Sequence, residues 1–265
     1  VIEIVSIAGF ATIQDGGRPG HMHEGVPKGG ALAPELMSRA NVAVRNAPEE
    51  AAVEVVGAMS FVARVPLTVA TDDGVARALA CNDRFSTANG PEVRMRYIAV
   101  RGGIDVPAVL GGRGTLVVAR LGGHEGRPLR RGDVLRVRDA RPRDTSLPAF
   151  PDLVAPVRVI VGPDVDRFDR ATIEAFFAAS FTIDAGSDRV GIRLAGPRFV
   201  REQEADAPSA PMVSGAIQIP PSGQPIVLGP DHPTTGGYPV IATVVRAHLG
   251  PLAARPIGAS VRFRL

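Results

Sequence analysis

Short apolar runs recur along this chain, and nearly every one is closed off by Gly, Pro or Asp within a few residues. Runs rich in β-branched residues and bounded by turn formers read as strands: residues 1–7, 53–56, 61–69, 93–100, 115–121 and 134–137. The pattern resumes after a break, with strands over 157–161 and near 181–184, 191–194, 215–219, 225–228, 239–245 and 259–264. The 30 glycines and 24 prolines among 265 residues supply this punctuation, Gly by reaching positive φ and Pro by fixing a negative one. Helical spacing is confined to two stretches. At 34–45, Pro34 suits the first helical position, Leu36, Met37, Ala40 and Val44 share a face, and Pro48 follows. At about 165–179, Val165, Phe168, Thr172, Phe176 and Ala179 align, and Asp164 is placed to accept a bond from an unpaired N–H of the first turn. The expectation is a mainly β protein with a few short helices.

The break falls at 139–156, where Pro142, Pro148, Pro151 and Pro156 are mixed with Asp, Thr and Ser. Such a segment reads as a linker and divides the chain into domains 1–150 and 151–265. The halves echo each other. Gly102-Gly103-Ile104-Asp105-Val106 and Gly132-Asp133-Val134-Leu135-Arg136-Val137 correspond to Gly236-Gly237-Tyr238-Pro239-Val240 and Gly258-Ala259-Ser260-Val261-Arg262-Phe263. Two similar β-domains fit this better than one large sandwich.

Charge and residue chemistry remove several function classes. Lys28 is the one lysine among 30 basic residues, and the net charge is only +3. The arginines are spread and mixed with acids, which argues against nucleic acid. Cys81 stands alone, so neither a disulfide framework nor a Cys-rich metal site is available. No apolar run approaches ~18 residues, and the N-terminal strand lacks the flanks of a signal peptide; no membrane and a reducing cytoplasm are the expectation. Lys28 lies outside any G-x-x-x-x-G-K-[ST] pattern, which excludes a P-loop, and there is no G-x-S-x-G elbow. The glycines at 111–114 and 122–126 do not open a helix after a strand, which disfavours a dinucleotide fold. His21 and His23 with Glu24 have the spacing of two ligands on one side of a strand, but a third ligand is unassigned. Two surface loop histidines is the plainer reading, and no metal is expected. His124, His232 and His248 are isolated and read as packed or solvated.

The densest run of special residues is 215–243. Two apolar strands flank Pro220-Pro221-Ser222-Gly223, and the second leads into Asp231 and Thr234-Thr235-Gly236-Gly237-Tyr238-Pro239. Consecutive glycines let backbone N–H groups converge on an anion, and Thr hydroxyls add donors. Gln218 and Gln224 offer both donors and acceptors, suited to an amide or carboxylate. The same residues are also compatible with a tight hairpin and a glycine-rich corner. In Gln14-Asp15-Gly16-Gly17-Arg18, the Asp and Arg either fix the loop or present a guanidinium to an anion. Asp188-Arg189 before Gly191, and Arg101 beside Gly102-Gly103, carry the same two readings.

These segments resemble the allophanate hydrolase subunit 2 family, also described as biotin-dependent carboxyltransferase-like or KipA-type, which includes the C subunits of 5-oxoprolinases. The resemblance is carried by Gln14-Asp15-Gly16-Gly17-Arg18-Pro19-Gly20, Gly25-Val26-Pro27 and Gly30-Ala31. It continues through residues 97–107, through Gly122-Gly123 with Gly126-Arg127-Pro128-Leu129 and Gly132-Asp133, through residues 188–194, and over nearly all of 215–243. It implies two β-barrel-like domains similar to the cyclophilin barrel. It implies partners of the KipI-like (allophanate hydrolase subunit 1) type and of the LamB/YcsF type. It also implies a complex that opens the lactam of 5-oxo-L-proline to L-glutamate with ATP as co-substrate. Alternatives within the resemblance are a KipA-type regulator that binds a KipI-like kinase inhibitor, and a urea carboxylase-like carboxyltransferase module. Lys28 lies in a Pro-Lys-Gly-Gly loop, so the chain is not itself a biotin carrier. Under this resemblance the substrate or nucleotide site is expected at Gln218, Gln224, Asp231, Thr234, Thr235, Gly236, Gly237 and Tyr238, with Arg18 and Arg189 as anion-binding candidates. The chain departs from the family pattern at Ala33, where an acid is usual, at residues 111–115, where two serines are replaced, and at Ser209-Ala210-Pro211, where a glycine is lost.

Overall fold

The computed structural model describes residues 1–139, 141–199 and 208–265. The chain packs as two compact units, Val1–Gly20 with Lys28–Pro151, and His21–Pro27 with Asp152–Leu265. It is mainly β, as the turn-punctuated pattern requires, with three α-helices among the described residues.

The first unit is organised on one long strand pair, β1 (Ile2–Gln14) and β2 (Ala52–Ala63), antiparallel along nearly its whole length. Gly9 and Gly57 face each other at its midpoint with φ of 124° and 104°. A Cβ on either would overlap a carbonyl oxygen of the other strand, so only glycine permits this bend. The bend lets β2 serve two neighbours. Its first half pairs with β6 (Arg96–Val100), and its second with β5 (Arg84–Ala88). The sheet continues from β6 to β3 (Leu67–Thr71) and β4 (Ala76–Leu79), while β7 (Val134–Leu135) closes the other side on β1. Ile2, Ile4, Ile13, Val53, Val55, Phe61 and Ile98 belong to the apolar core of this unit.

α1 (Pro34–Ala43) packs against β6 and β3. Pro34 starts it as the sequence indicates, and Arg45 leaves it with φ of 62°, a left-handed exit. The proline-rich segment 141–151 has no regular structure but is fastened to this unit. Arg39 donates to the Pro148 carbonyl and lies 5.5 Å from the Phe150 ring, and Arg45 pairs with Asp144 at 2.7 Å. Ala140, within the stretch read as a linker, lies outside the described residues.

The second unit closes on itself. Its eight-stranded sheet runs β16 (Ser260–Val261), β9 (Phe181–Ile183), β10 (Gly191–Ala195), β13 (Ile226–Leu228), β12 (Ala216–Gln218), β15 (Val240–Val244), β8 (Val157–Val161) and β17 (Phe263–Arg264). The two edge strands are consecutive in the chain and separated only by Arg262, whose carbonyl accepts from Val157 N at 2.8 Å. One C-terminal segment therefore pairs on both sides, and the sheet becomes a barrel with little free edge. Phe176 of α2 (Arg170–Ala178) sits at the centre of its aromatic core, stacked on Phe263 at 5.3 Å and 8° and edge-on to Phe199 at 5.6 Å.

Several expectations shift. The segment 61–69 contains a turn that separates β2 from β3, and 115–121 holds a short 3-10 turn, Val117–Ala119, bridged by Leu116 and Leu121, rather than a strand. The helix expected from residue 165 begins at Arg170, and its cap is Asp169, which accepts from Thr172 N at 2.6 Å. Asp164 instead accepts from Val240 N at 2.9 Å and ties the loop to β15. α3 (Arg246–Ala254) escapes a sequence reading because it contains Gly250 and Pro251, residues that oppose a helix interior.

Candidate functional site

The 215–243 run of the second unit folds as a corner above one buried glutamine. β12 delivers Gln218, which is 7% exposed, and its Nε2 approaches Met212 Sδ at 3.2 Å and donates to the Tyr238 carbonyl at 3.4 Å. β14 (Thr235–Gly236) pairs antiparallel with β11 (Ala210–Pro211), and Met212 N donates to the Thr234 carbonyl at 3.0 Å. A short ribbon thus lies over Met212, Ala216, Leu228 and Val240, which form their own apolar cluster. A Cβ at Gly236 would meet Gln218 Nε2 at 3.1 Å and Met212 Cγ at 3.2 Å, so the glycine gives the ribbon clearance over the glutamine. Thr235 and Tyr238 are exposed, and Thr234 and Gly237 half-buried.

Arg189 and Asp231 meet as a fork, with Nε to Oδ2 at 2.8 Å and Nη2 to Oδ1 at 3.0 Å. Backbone bonds run beside it, from Asp231 N to the Arg189 carbonyl at 3.1 Å and from Gly229 N to the Val190 carbonyl at 2.9 Å. The structure therefore brings Gln218 together with Gly236 and Tyr238, and Arg189 together with Asp231. Gln224 stands apart. It is half-buried in the turn before β13, at the opposite end of that strand from Asp231, and its N–H donates to Ser222 Oγ at 3.5 Å.

In the first unit, the 14–18 motif is a clasp. Asp15 Oδ1 accepts from Gly17 N at 2.8 Å and Gly114 N at 3.1 Å, and Oδ2 from Arg113 N at 2.5 Å. Arg18, 1% exposed, donates to the carbonyls of Val109 and Gly114. Gln14 Nε2 donates to Thr12 Oγ1 at 3.0 Å and the Thr115 carbonyl at 3.1 Å. The loop-fixing reading of this motif accounts for all these contacts. Residues 111–115, where the chain departs from the family pattern, form the loop that the clasp holds. Ala33, another departure, is buried at the start of α1. Its N–H donates to Tyr97 Oη at 2.9 Å, and that hydroxyl donates to the buried Glu54 at 2.6 Å.

A second glycine-rich corner, at 122–126, borders an open cleft of about 690 Å³ in this unit. Next to it, Arg127 forks onto Asp133 at 2.8 and 2.9 Å, and Arg130 N donates to the same carboxylate at 2.9 Å. Burial by itself would raise the Asp133 carboxyl, but the Arg127 fork, the Arg130 N–H and the charges of His124 and Arg127 hold it below its ordinary value. The hydrogen bond to Asp133 in turn raises Arg127 above its ordinary value. His124 Nε2 stands 3.5 Å from Asp133, so the histidine read as isolated belongs to this cluster. The spacing Gly122-Gly123-x-x-Gly126 is the sequence signal that marks it.

His21 and His23 lie at a 3-10 turn, Met22–Glu24, not on a strand, and His21 Nδ1 bonds Glu24 Oε2 at 2.6 Å. Among the described residues no group of three or more His, Cys, Asp or Glu is placed to hold a metal ion. Nor is any helix among them long and apolar enough to cross a membrane.

Two barrel-like β units carrying these glycine-rich corners match the model of the carboxyltransferase domain, subdomains A and B, over residues 24–265. The chain belongs to that family. It is 32% identical to the C subunit of the 5-oxoprolinase of Escherichia coli, over 99% of this chain and 90% of the relative. It is 30% identical to the corresponding C subunit of Haemophilus influenzae, over 99% of this chain and 90% of that one. Among solved structures, the urea amidolyase of K. lactis superposes with a TM-score of 0.88 at 25% identity, covering 99% of this chain and 18% of that one.

Proposed function

We propose that this chain is the C subunit of a cytoplasmic, ATP-dependent 5-oxoprolinase, acting with a KipI-like subunit and a LamB/YcsF-type subunit. The observation that carries the reading is the near end-to-end match to two 5-oxoprolinase C subunits, each covered over 90% of its length. A lactam is a resonance-stabilised amide and a poor electrophile, so its opening needs an activated oxygen and fixed donors for the charge that develops there. ATP is a co-substrate of the complex in this reading. The chain has no P-loop lysine, so what it contributes is hydrogen bonding from arginine, amide and backbone groups. Gln218 under the β11–β14 ribbon, with Thr234, Thr235, Gly237 and Tyr238 along its rim, is the candidate donor set, and the Arg189–Asp231 fork holds the loop that carries them.

The test is reconstitution. The three purified proteins with ATP and 5-oxo-L-proline are expected to release L-glutamate, and omission of this chain is expected to abolish it. Equal glutamate without this chain would overturn the reading.

A second reading is a carboxyltransferase module working with a biotin-bearing partner. The superposition on the urea amidolyase of K. lactis supports it. Urea-dependent ATP hydrolysis in the presence of such a partner, with none driven by 5-oxo-L-proline, would favour it over the first.

A further inference from the structure

The nest-forming backbone expected at Gly236 and Gly237 occurs at the other corner. Neither of those glycines has a left-handed φ, whereas Gly122, Gly123, Glu125 and Gly126 have φ of 68°, 55°, 57° and 67°. Successive N–H groups converge on one side where left-handed residues alternate with ordinary ones or make a turn, and here His124, without a positive φ, stands between left-handed Gly123 and Glu125. Two N–H groups of this corner are already engaged, Gly123 with the Arg113 carbonyl at 2.7 Å and Gly126 with the Gly122 carbonyl at 2.8 Å. Those of Gly122, His124 and Glu125 meet no acceptor among the described residues.

The corner forms one side of the 690 Å³ cleft, and the lining also includes Arg113 and Arg136. Arg113 is tethered to a neutral acceptor, the Val106 carbonyl, and keeps its charge. Arg136 is exposed, and its side chain has no hydrogen-bond or ion-pair partner among the described residues. Of the two carboxylates in the lining, Glu125 shares Arg127 with Asp133, at 2.9 Å from its guanidinium, and Asp105 is exposed. The cleft therefore combines a left-handed loop with unused N–H groups, two guanidinium groups that no carboxylate pairs with among the described residues, and room for a small molecule.

We propose that this cleft is a binding site for a small oxyanion-bearing ligand, a carboxylate or a phosphate, held by the 122–126 N–H groups and Arg136. It lies wholly within the first unit and does not depend on the donor set proposed for Gln218. Its test uses the full chain alone, so failed reconstitution of the complex would leave it standing.

The experiment titrates the protein separately with glutarate and with inorganic phosphate at low ionic strength, by calorimetry and by amide exchange. Saturable binding of either probe is expected, with slowed exchange at 122–126 and none at 231–238; which probe binds tells carboxylate from phosphate. Arg136→Gln is expected to weaken binding about tenfold or more, the loss of a charge-assisted hydrogen bond. Arg131→Gln, another exposed arginine but outside the lining, is expected to leave it unchanged. No saturable binding of either probe up to about 10 mM, an undiminished affinity in Arg136→Gln, an equal loss in Arg131→Gln, or protection away from 122–126 would each overturn the proposal.

Discussion

At 122–126 the backbone is left-handed at four of five residues, whereas Gly236 lies in a paired strand with no left-handed φ. Both corners are glycine-rich, but for different reasons. The first needs glycine because its chain path is closed to other residues. A Cβ at Gly122 would overlap the Gly114 carbonyl oxygen and crowd Arg18 Nη2, both buried. The second needs glycine only to clear side-chain atoms, Gln218 Nε2 and Met212 Cγ, at 3.1 and 3.2 Å, which can shift by a few tenths of an ångström. The sharpest way to break this contrast is a pair of alanine substitutions. Gly122→Ala is expected to cost about 3 kcal/mol or more, a left-handed strain compounded by a backbone clash. Gly236→Ala is expected to cost about 1 kcal/mol. Amide exchange read peptide by peptide assigns each loss to its own unit, and equal losses would show that the two corners are built alike.

Each corner also leans on an Arg–Asp fork, and here the contrast is in reach. Arg127 and Asp133 are six residues apart, and Arg189 and Asp231 are 42 apart. The short fork staples a local turn. The long one fastens the loop before β10 to the loop after β13, and its two side chains are only 11% and 7% exposed. Asp231→Asn, which keeps the shape and removes the charge, is expected to cost about 2 kcal/mol and to raise exchange across 229–238 as well as 187–190. Asp133→Asn is expected to cost about 1 kcal/mol, with faster exchange confined to 127–133. A distant response to Asp133→Asn would sink the distinction.

The sequence carried the mainly β architecture because strand ends are local chemistry. Gly, Pro and Asp mark where a run must stop, and β8, β10, β13 and β15 lie close to where those residues put them. The long pair of β1 and β2 was only half legible. Its strands run through Gly9 and Gly57, and an isolated glycine reads as an end until its cross-strand partner is known. The corners show the same limit more strongly. Gly236-Gly237 and Gly122-Gly123 are the same dipeptide, and the pairing of β14 with β11 holds Gly236 in a strand. Likewise Asp164 and Asp169 are equally good caps by type, and Asp164 is drawn away by β15, 76 residues further on. What the sequence could not show in each case was the partner brought in from a distance.

Acid separates the two units further. Asp133 is held below its ordinary 3.8, so the folded first unit binds a proton there less readily than the unfolded chain. Its contribution is full above 3.8 and is lost as pH falls through the lower folded value. The denaturant midpoint of the first unit is expected to fall on acidification for wild type, and to fall less for Asp133→Asn, because the substituted amide does not titrate. The matching denaturation curves at about pH 5 and about pH 3 check it, and parallel curves for the two proteins would remove Asp133 from the acid limb.

In the second unit the titrating group lies nearer neutrality. Burial lowers the His248 pKa from its ordinary 6.5, and the charges of Arg158, Arg264 and Arg255 lower it further. Arg264 pairs beside Arg158 in the parallel β17–β8 register, and His248 sits in the first turn of α3, an end that itself disfavours a cation. Below pH 6.5 the unfolded chain takes up a proton that the folded chain refuses. Stability is therefore full above 6.5, falls as pH drops toward the lower folded value, and levels off beneath it. The group is half-buried and solvent screens part of the effect, so the drop is expected to stay under about 1 kcal/mol. His248→Gln should flatten it without changing the acid response of the first unit. Unfolding midpoints measured from about pH 7.5 to about pH 5, followed through peptides of α3 and β8, give the slope. A stability that rises on acidification would mean that the imidazolium finds an acceptor at the α3 terminus, and would reverse the sign of this last difference between the units.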